Sequence, residues 1–139
     1  SILLICLGNY EAVPQTKYIH VRCEGLIKGS ELLSKYYSAA DYFVLSSFQE
    51  AFAQTPLEAL ACGTPVIAFP CSGIPDLMNP KIGTTSNGFT KEALIEAIRA
   101  AMDTEYNHDE IRNDVVSRFS YDIIAKQYID LYDRLLLNK

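Results

Sequence analysis

Clustered basic residues are missing from this 139-residue chain, and that absence is the first constraint on its partners. Twelve Lys and Arg stand against seventeen Asp and Glu, for a net charge of −5. Nucleic acids and anionic membranes are gripped mainly by concentrated positive charge, so no nucleic-acid partner and no broad membrane hold are expected. No apolar run approaches the roughly 20 residues that span a bilayer. Histidine is scarce as well: neither His20 nor His108 has ligand spacing to another candidate, so no metal site is expected. The four cysteines (Cys6, Cys23, Cys62 and Cys71) form no CxxC pair and no ladder of the kind found in small secreted domains. They read as reduced, buried, small hydrophobes, which points to a cytoplasmic location. Also absent are a Ser–His–Asp order, a DxD pair and a glycine-rich Walker loop. The apolar run from Ile2 to Leu7 has no basic n-region and no cleavage-like end, so it does not read as a signal peptide.

What remains is a globular chain of one domain's length, 49% hydrophobic and without internal repeats. The opening run reads as a buried parallel strand entered midway, so the chain is expected to be a piece of a longer protein. A second strand is predicted around Tyr18 to Cys23, then a helix capped by Ser30 and running to Ala40, and a third strand from Tyr42 to Leu45. After a loop and a helix comes a strand from Val66 to Phe69, then a short helix ending near Met78 and a short strand near Gly83 to Thr85. Three helices close the chain: one capped by Thr90, one around Asp109 to Arg118, and one from Ser120 to Leu137 with Ile124, Tyr128, Leu131 and Leu135 in an apolar stripe. Single helices between short strands predict an α/β fold, a doubly wound parallel sheet.

The stretch from Glu50 to Ala68, EAFAQTPLEALACGTPVIA, carries most of the functional information. Thr55 suits an N-cap, Pro56 the first helical position and Glu58 the third, which together spell a capping box. Gly63 suits the left-handed residue that ends the helix, with Pro65 just beyond. A loop rising into a free helix N-terminus offers unpaired N–H groups and the positive end of the helix dipole, a setting that attracts phosphate. Glu58 therefore has two competing roles, cap or ligand. A carboxylate's paired oxygens suit two vicinal ribose hydroxyls. Glu50 stands at the mouth of a predicted strand, where ligand sites of open α/β sheets form.

Two glutamates separated by seven residues, followed by A-L-A-C-G-T-P-V-I-A, resemble the nucleotide-sugar site of the retaining GT-B glycosyltransferases of group 1, or family 4. The resemblance runs from about Gly25 through Met78 and more loosely to the C-terminus. It implies a Rossmann-like C-terminal half, spanning 1–139, whose N-terminal acceptor domain and own first strand lie upstream. It further implies a UDP-sugar or GDP-sugar substrate, no cofactor and no bound metal, with the sugar passed to a carbohydrate or lipid-linked acceptor, as in polysaccharide biosynthesis. Acceptor binding, and any membrane contact, would fall to the upstream part, together with the Arg and Lys that neutralise the diphosphate.

By the same resemblance, Glu50 acts catalytically by contacting donor-sugar hydroxyls and orienting the departing nucleotide. Glu58 binds the ribose. The N–H groups of Ala53, Gln54 and Thr55 face the diphosphate, Phe52 is a further donor-binding residue, Gly25 lies beside the base with backbone groups of Leu26 and Ile27 reading its edge, and Gly73 belongs to a glycine loop near the donor. Ala51 and Ala53 replace both glycines of the commoner EGFG pattern while leaving every N–H available. Lys28 reads as solvated surface, and Tyr36, Tyr37, Tyr128 and Tyr132 as helix packing. Two other readings compete: another GT-B enzyme such as a nucleotide-sugar epimerase, and a non-catalytic Rossmann-like module.

Overall fold

The computed structural model describes residues 1–9, 13–51 and 54–137. The chain divides into two compact units, Ser1–Tyr36 and Tyr37–Lys139, each with its own parallel sheet. In the first unit, β1 (Ile2–Leu7) pairs in parallel with β2 (Ile19–Gly25), Ile2 opposite Ile19 and Cys6 opposite Cys23. The Gly29 carbonyl accepts from the Leu33 N–H, so Ser30 is the first residue of α1 (Ser30–Ala39) rather than its cap.

Two expectations fail in this unit. Ile2 to Ile5 are exposed rather than buried. Burying a parallel strand takes cover on both faces, and this unit supplies one neighbouring strand and the first turns of one helix. Cys23 is likewise exposed, on the open strand pair, where it lies close enough to Cys6 to help burial raise the Cys6 thiol above its usual range.

The second unit holds β3 (Phe43–Leu45), β4 (Val66–Ala68) and β5 (Gly83–Thr85) in that spatial order, all parallel. Central β4 is buried at every residue, as its uninterrupted apolar sequence requires. On one face Ile67 packs against Ala97 and Ala101 of α4 (Lys91–Met102), with Tyr42, Leu94, Ile98 and Tyr106 around them. Val66 and Ala68 alternate to the other face, as successive strand residues must. The crossover helix α2 (Gln54–Ala61) packs on β3, β4 and α5 (His108–Phe119), burying Ala59 and Leu60 beside Ile111 and Val115. The short α3 (Ile74–Leu77) links β4 to β5, and Arg118 donates from α5 to the Asp76 and Leu77 carbonyls at its end.

Helix ends follow the sequence closely where a side chain or a left-handed residue decides them. Thr90 caps α4 by accepting from the Ala93 N–H. Gly63, at φ +85, closes α2 in a Schellman motif: Thr64 N–H reaches Ala59 O and Gly63 N–H reaches Leu60 O. The last helix, α6 (Tyr121–Leu137), buries none of its residues. Its apolar stripe meets α5 near its start, where Ile124 is half-buried, and Tyr128 and Tyr132 rest on one another with ring centroids 6.3 Å apart. Among the described residues no helix is long and apolar enough to cross a membrane.

Candidate functional site

Because β3 and β4 run parallel, the loops that follow them leave from the same sheet edge, the carboxyl edge where open α/β sheets bind ligands. The first loop carries Glu50, half-buried, and the second carries Cys71, Ser72 and Gly73. They are tied together: the Glu50 N–H donates to the Ser72 hydroxyl at 3.3 Å. Ser72 adopts φ 48, the left-handed region a non-glycine residue enters only when its surroundings hold it there. Burial pushes the Cys71 thiol above its ordinary value of 9.0, and the nearby Glu50 charge adds to the shift. Gly73 follows at φ −81, exposed, with nothing within 4 Å of the position a Cβ would take. The backbone there does not demand glycine, and the missing side chain leaves room beside the Glu50 loop.

The start of α2 departs from the sequence reading. The helix begins at Gln54, so Thr55 lies inside the first turn instead of capping it, and Glu58 falls beyond that turn instead of at its third position. Proline lacks an N–H, and any position in the first helical turn tolerates that, so Pro56 did not fix the register. Among the described residues, Gln54 and Thr55 carry first-turn N–H groups of the kind a helix leaves without intrahelical partners, and both residues are exposed. Phe52 and Ala53 lie outside the described residues.

Freed from a capping box, the exposed Glu58 carboxylate has a different partner. The Tyr37 hydroxyl donates to Glu58 Oε2 at 3.1 Å. Tyr37 itself is buried at 5% exposure and held along its whole length. Its carbonyl accepts from the Thr64 hydroxyl at 2.5 Å, and its ring meets Phe43 edge-to-face at 5.6 Å. Burial first, and then the Glu58 charge, raise the phenol well above its ordinary 10.0, so it remains a donor at neutral pH.

Three phenylalanines complete this edge. Phe48, Phe69 and Phe89 come from the loops after β3, β4 and β5, with centroids 5.4, 6.2 and 5.6 Å apart. Phe69 is buried beneath the exposed Phe48 and Phe89. Sequence reasoning missed this cluster, since its members are 20 or more positions apart, and it read Tyr37 as packing alone.

The proposed base-reading residues belong to the first unit. Gly25 ends β2 at φ +69, Leu26 is exposed and Ile27 half-buried, with Lys28 exposed beside them. His20 is exposed on β2, and His108 Nδ1 lies 2.8 Å from the Gly63 carbonyl. Among the described residues no three His, Cys, Asp or Glu side chains gather as a metal site would need.

Comparison with known proteins matches residues 19–118 to the family described as "Glycosyl transferases group 1". A D-inositol 3-phosphate glycosyltransferase of Corynebacterium glutamicum (strain R) is 32% identical over 114 residues, 79% of this chain and 27% of that protein. An N,N'-diacetylbacillosaminyl-diphospho-undecaprenol alpha-1,3-N-acetylgalactosaminyltransferase of Campylobacter jejuni is 32% identical over 70% of this chain and 27% of its own length. Among solved structures, sucrose-phosphate synthase from Thermosynechococcus elongatus superposes with a TM-score of 0.71 at 32% identity, covering 86% of this chain and 31% of that one. The catalytic domain of starch synthase IV from Arabidopsis thaliana, bound to ADP and acarbose, gives 0.60 at 25% identity, covering 83% of this chain and 26% of that one. The chain thus spans under a third of the length of the relatives it matches.

Proposed function

This chain belongs to the group 1 glycosyl transferases, and from that membership we propose that it is the donor-binding part of an enzyme that moves a sugar from a nucleoside diphosphate to an acceptor hydroxyl with retention. The observation that carries the reading is the meeting, at one sheet edge, of the Glu50 loop, the Ser72–Gly73 loop and the first turn of α2.

In this reading the diphosphate rests on the N–H groups of Gln54 and Thr55 and on the positive end of α2, and Phe52 and Ala53 are further donor-binding residues. Glu58 accepts hydrogen bonds from the two ribose hydroxyls. Glu50 accepts from the donor sugar and keeps its anomeric carbon aligned as the bond to the diphosphate breaks. Gly73 leaves space for that sugar, and Gly25, Leu26 and Ile27 read the base edge. Catalysis is mostly positioning and stabilisation of charge on the leaving diphosphate. The substrate is a UDP-sugar or GDP-sugar, and the acceptor, carbohydrate or lipid-linked, is held by a part of the protein outside this chain. The chain alone binds donor and transfers nothing, and its site lies on the cytoplasmic side.

Calorimetric titration of the chain with UDP, GDP and ADP at up to millimolar concentration tests the reading. Saturable heat with at least one is expected, and flat titrations with all three would overturn it. Glu58→Gln then locates the ribose. Replacing a charge-assisted acceptor with an amide costs about 1.5–3 kcal/mol, roughly tenfold to over a hundredfold in affinity. That loss is expected for the normal nucleotide and not for its 2′,3′-dideoxy analogue, and equal losses for both would remove Glu58 from the ribose.

A further inference from the structure

We propose that Tyr37 is a positioning residue for nucleotide binding: from the buried side of α2 it fixes one oxygen of Glu58 and leaves the other, with the outer lone pairs, to the ribose. The proposal rests on the reading of Glu58 as the ribose ligand and adds what makes that exposed side chain a specific one.

Glu58 is a long side chain on the outer part of a helix, and left to itself such a carboxylate samples several rotamers in water. A ligand that needs both oxygens must then immobilise it on binding. Here the immobilising contact is already made, by a hydroxyl 3.1 Å from Glu58 Oε2 on a residue that cannot itself move. Tyr37 is anchored at its carbonyl by Thr64, at its ring by Phe43 and by burial of the whole side chain. Thr64 is also buried and lies in the turn that the Gly63 Schellman motif fixes, so the end of α2 and the orientation of Glu58 are set by the same few residues. The geometry fits the task. A phenol donates a single hydrogen bond, so it occupies one of roughly four acceptor sites on the carboxylate and leaves enough for two hydroxyls. Its raised pKa keeps it protonated in the presence of the anion.

A packing role alone would be served equally by phenylalanine, which fills the same space beside Phe43. The hydroxyl is the part that needs another explanation, and its partner is the carboxylate.

The test is a double-mutant cycle on the whole chain with Tyr37→Phe, Glu58→Gln and the double variant, each titrated with UDP, GDP and their 2′,3′-dideoxy analogues. Freeing one rotamer-rich side chain is expected to weaken binding of the normal nucleotide roughly three- to tenfold. The dideoxy analogue should bind Tyr37→Phe as it binds wild type. In the Glu58→Gln background the Tyr37→Phe change should lose little further, because the two residues act as one unit. Equal affinity of wild type and Tyr37→Phe for the normal nucleotide would overturn the positioning role while leaving the ribose role of Glu58 standing. A loss shared by the dideoxy analogue, or one that persists in full without Glu58, would also overturn it, since Tyr37 would then act through the fold. If Glu58→Gln itself leaves binding unchanged, the ribose reading falls and this inference with it.

Discussion

The backbone N–H of Glu50 donates to the hydroxyl of Ser72 at 3.3 Å, and that single bond joins the loop after β3 to the loop after β4. It makes the position of Glu50 depend on a residue 22 positions away.

Ser72→Ala removes the acceptor and leaves the left-handed backbone in place. The bond is long and exposed, so the expected loss of stability is small, about 0.5–1 kcal/mol by urea denaturation. Affinity for a bound nucleotide sugar should fall several-fold more than affinity for the bare nucleoside diphosphate, because the proposed function sets the Glu50 loop against the sugar. Equal losses for both ligands would place the loop elsewhere in the site.

Gly83→Ala tests the strand pairing that builds this edge. Gly83 sits opposite Val66 at φ +154, and a Cβ there would overlap the Val66 carbonyl oxygen and lie 2.8 Å from the Val66 nitrogen. Met78 Cε, 2.7 Å away, can swing aside, but the Val66 backbone is held in the strand pair and cannot. The variant should lose several kcal/mol, about 3 or more, where overpacking of an adaptable core costs 1–3. Gly63→Ala meets the His108 carbonyl at 2.9 Å and should lose less. Denaturation midpoints for the two variants check the order.

Alkaline pH should destabilise the chain. Cys71 and Tyr37 have folded-state values raised above their ordinary 9.0 and 10.0, so the folded state keeps protons that the unfolded chain gives up. Their contribution is whole below pH 9 and is lost as pH climbs through and beyond the ordinary values. Unfolding free energy should therefore be level between pH 7 and about 8.5 and fall above 9. Tyr37→Phe should flatten the part of that fall beyond pH 10. A profile of Tyr37→Phe parallel to wild type across that range would contradict the assignment.

Much of this architecture is legible in the residues because local chemistry decides it. Gly63 and Pro65 mark the end of α2 and Thr90 the start of α4, both through contacts a few residues apart. Pro56 was a weaker guide, since a proline is tolerated throughout a first turn, and it misplaced the start of α2 and with it the supposed capping box. What stayed hidden depends on folding. Tyr37 meets Glu58 across 21 positions, Glu50 meets Ser72 across 22, and the three phenylalanines meet only because parallel strands release their loops at one edge. The stripe on α6 shows the opposite error, since helical spacing of Tyr128, Leu131 and Leu135 records an apolar face and says nothing of whether it is covered.

At 15.5 kDa the chain is small enough for amide-resolved magnetic resonance, and titration of the 15N-labelled protein with UDP or GDP tests the donor site most directly. The proposed function predicts its largest amide shifts at Gln54 and Thr55, with further shifts at Glu50, Ser72, Gly73 and Glu58. Saturating shifts confined to other parts of the chain, or none at millimolar nucleotide, would contradict it.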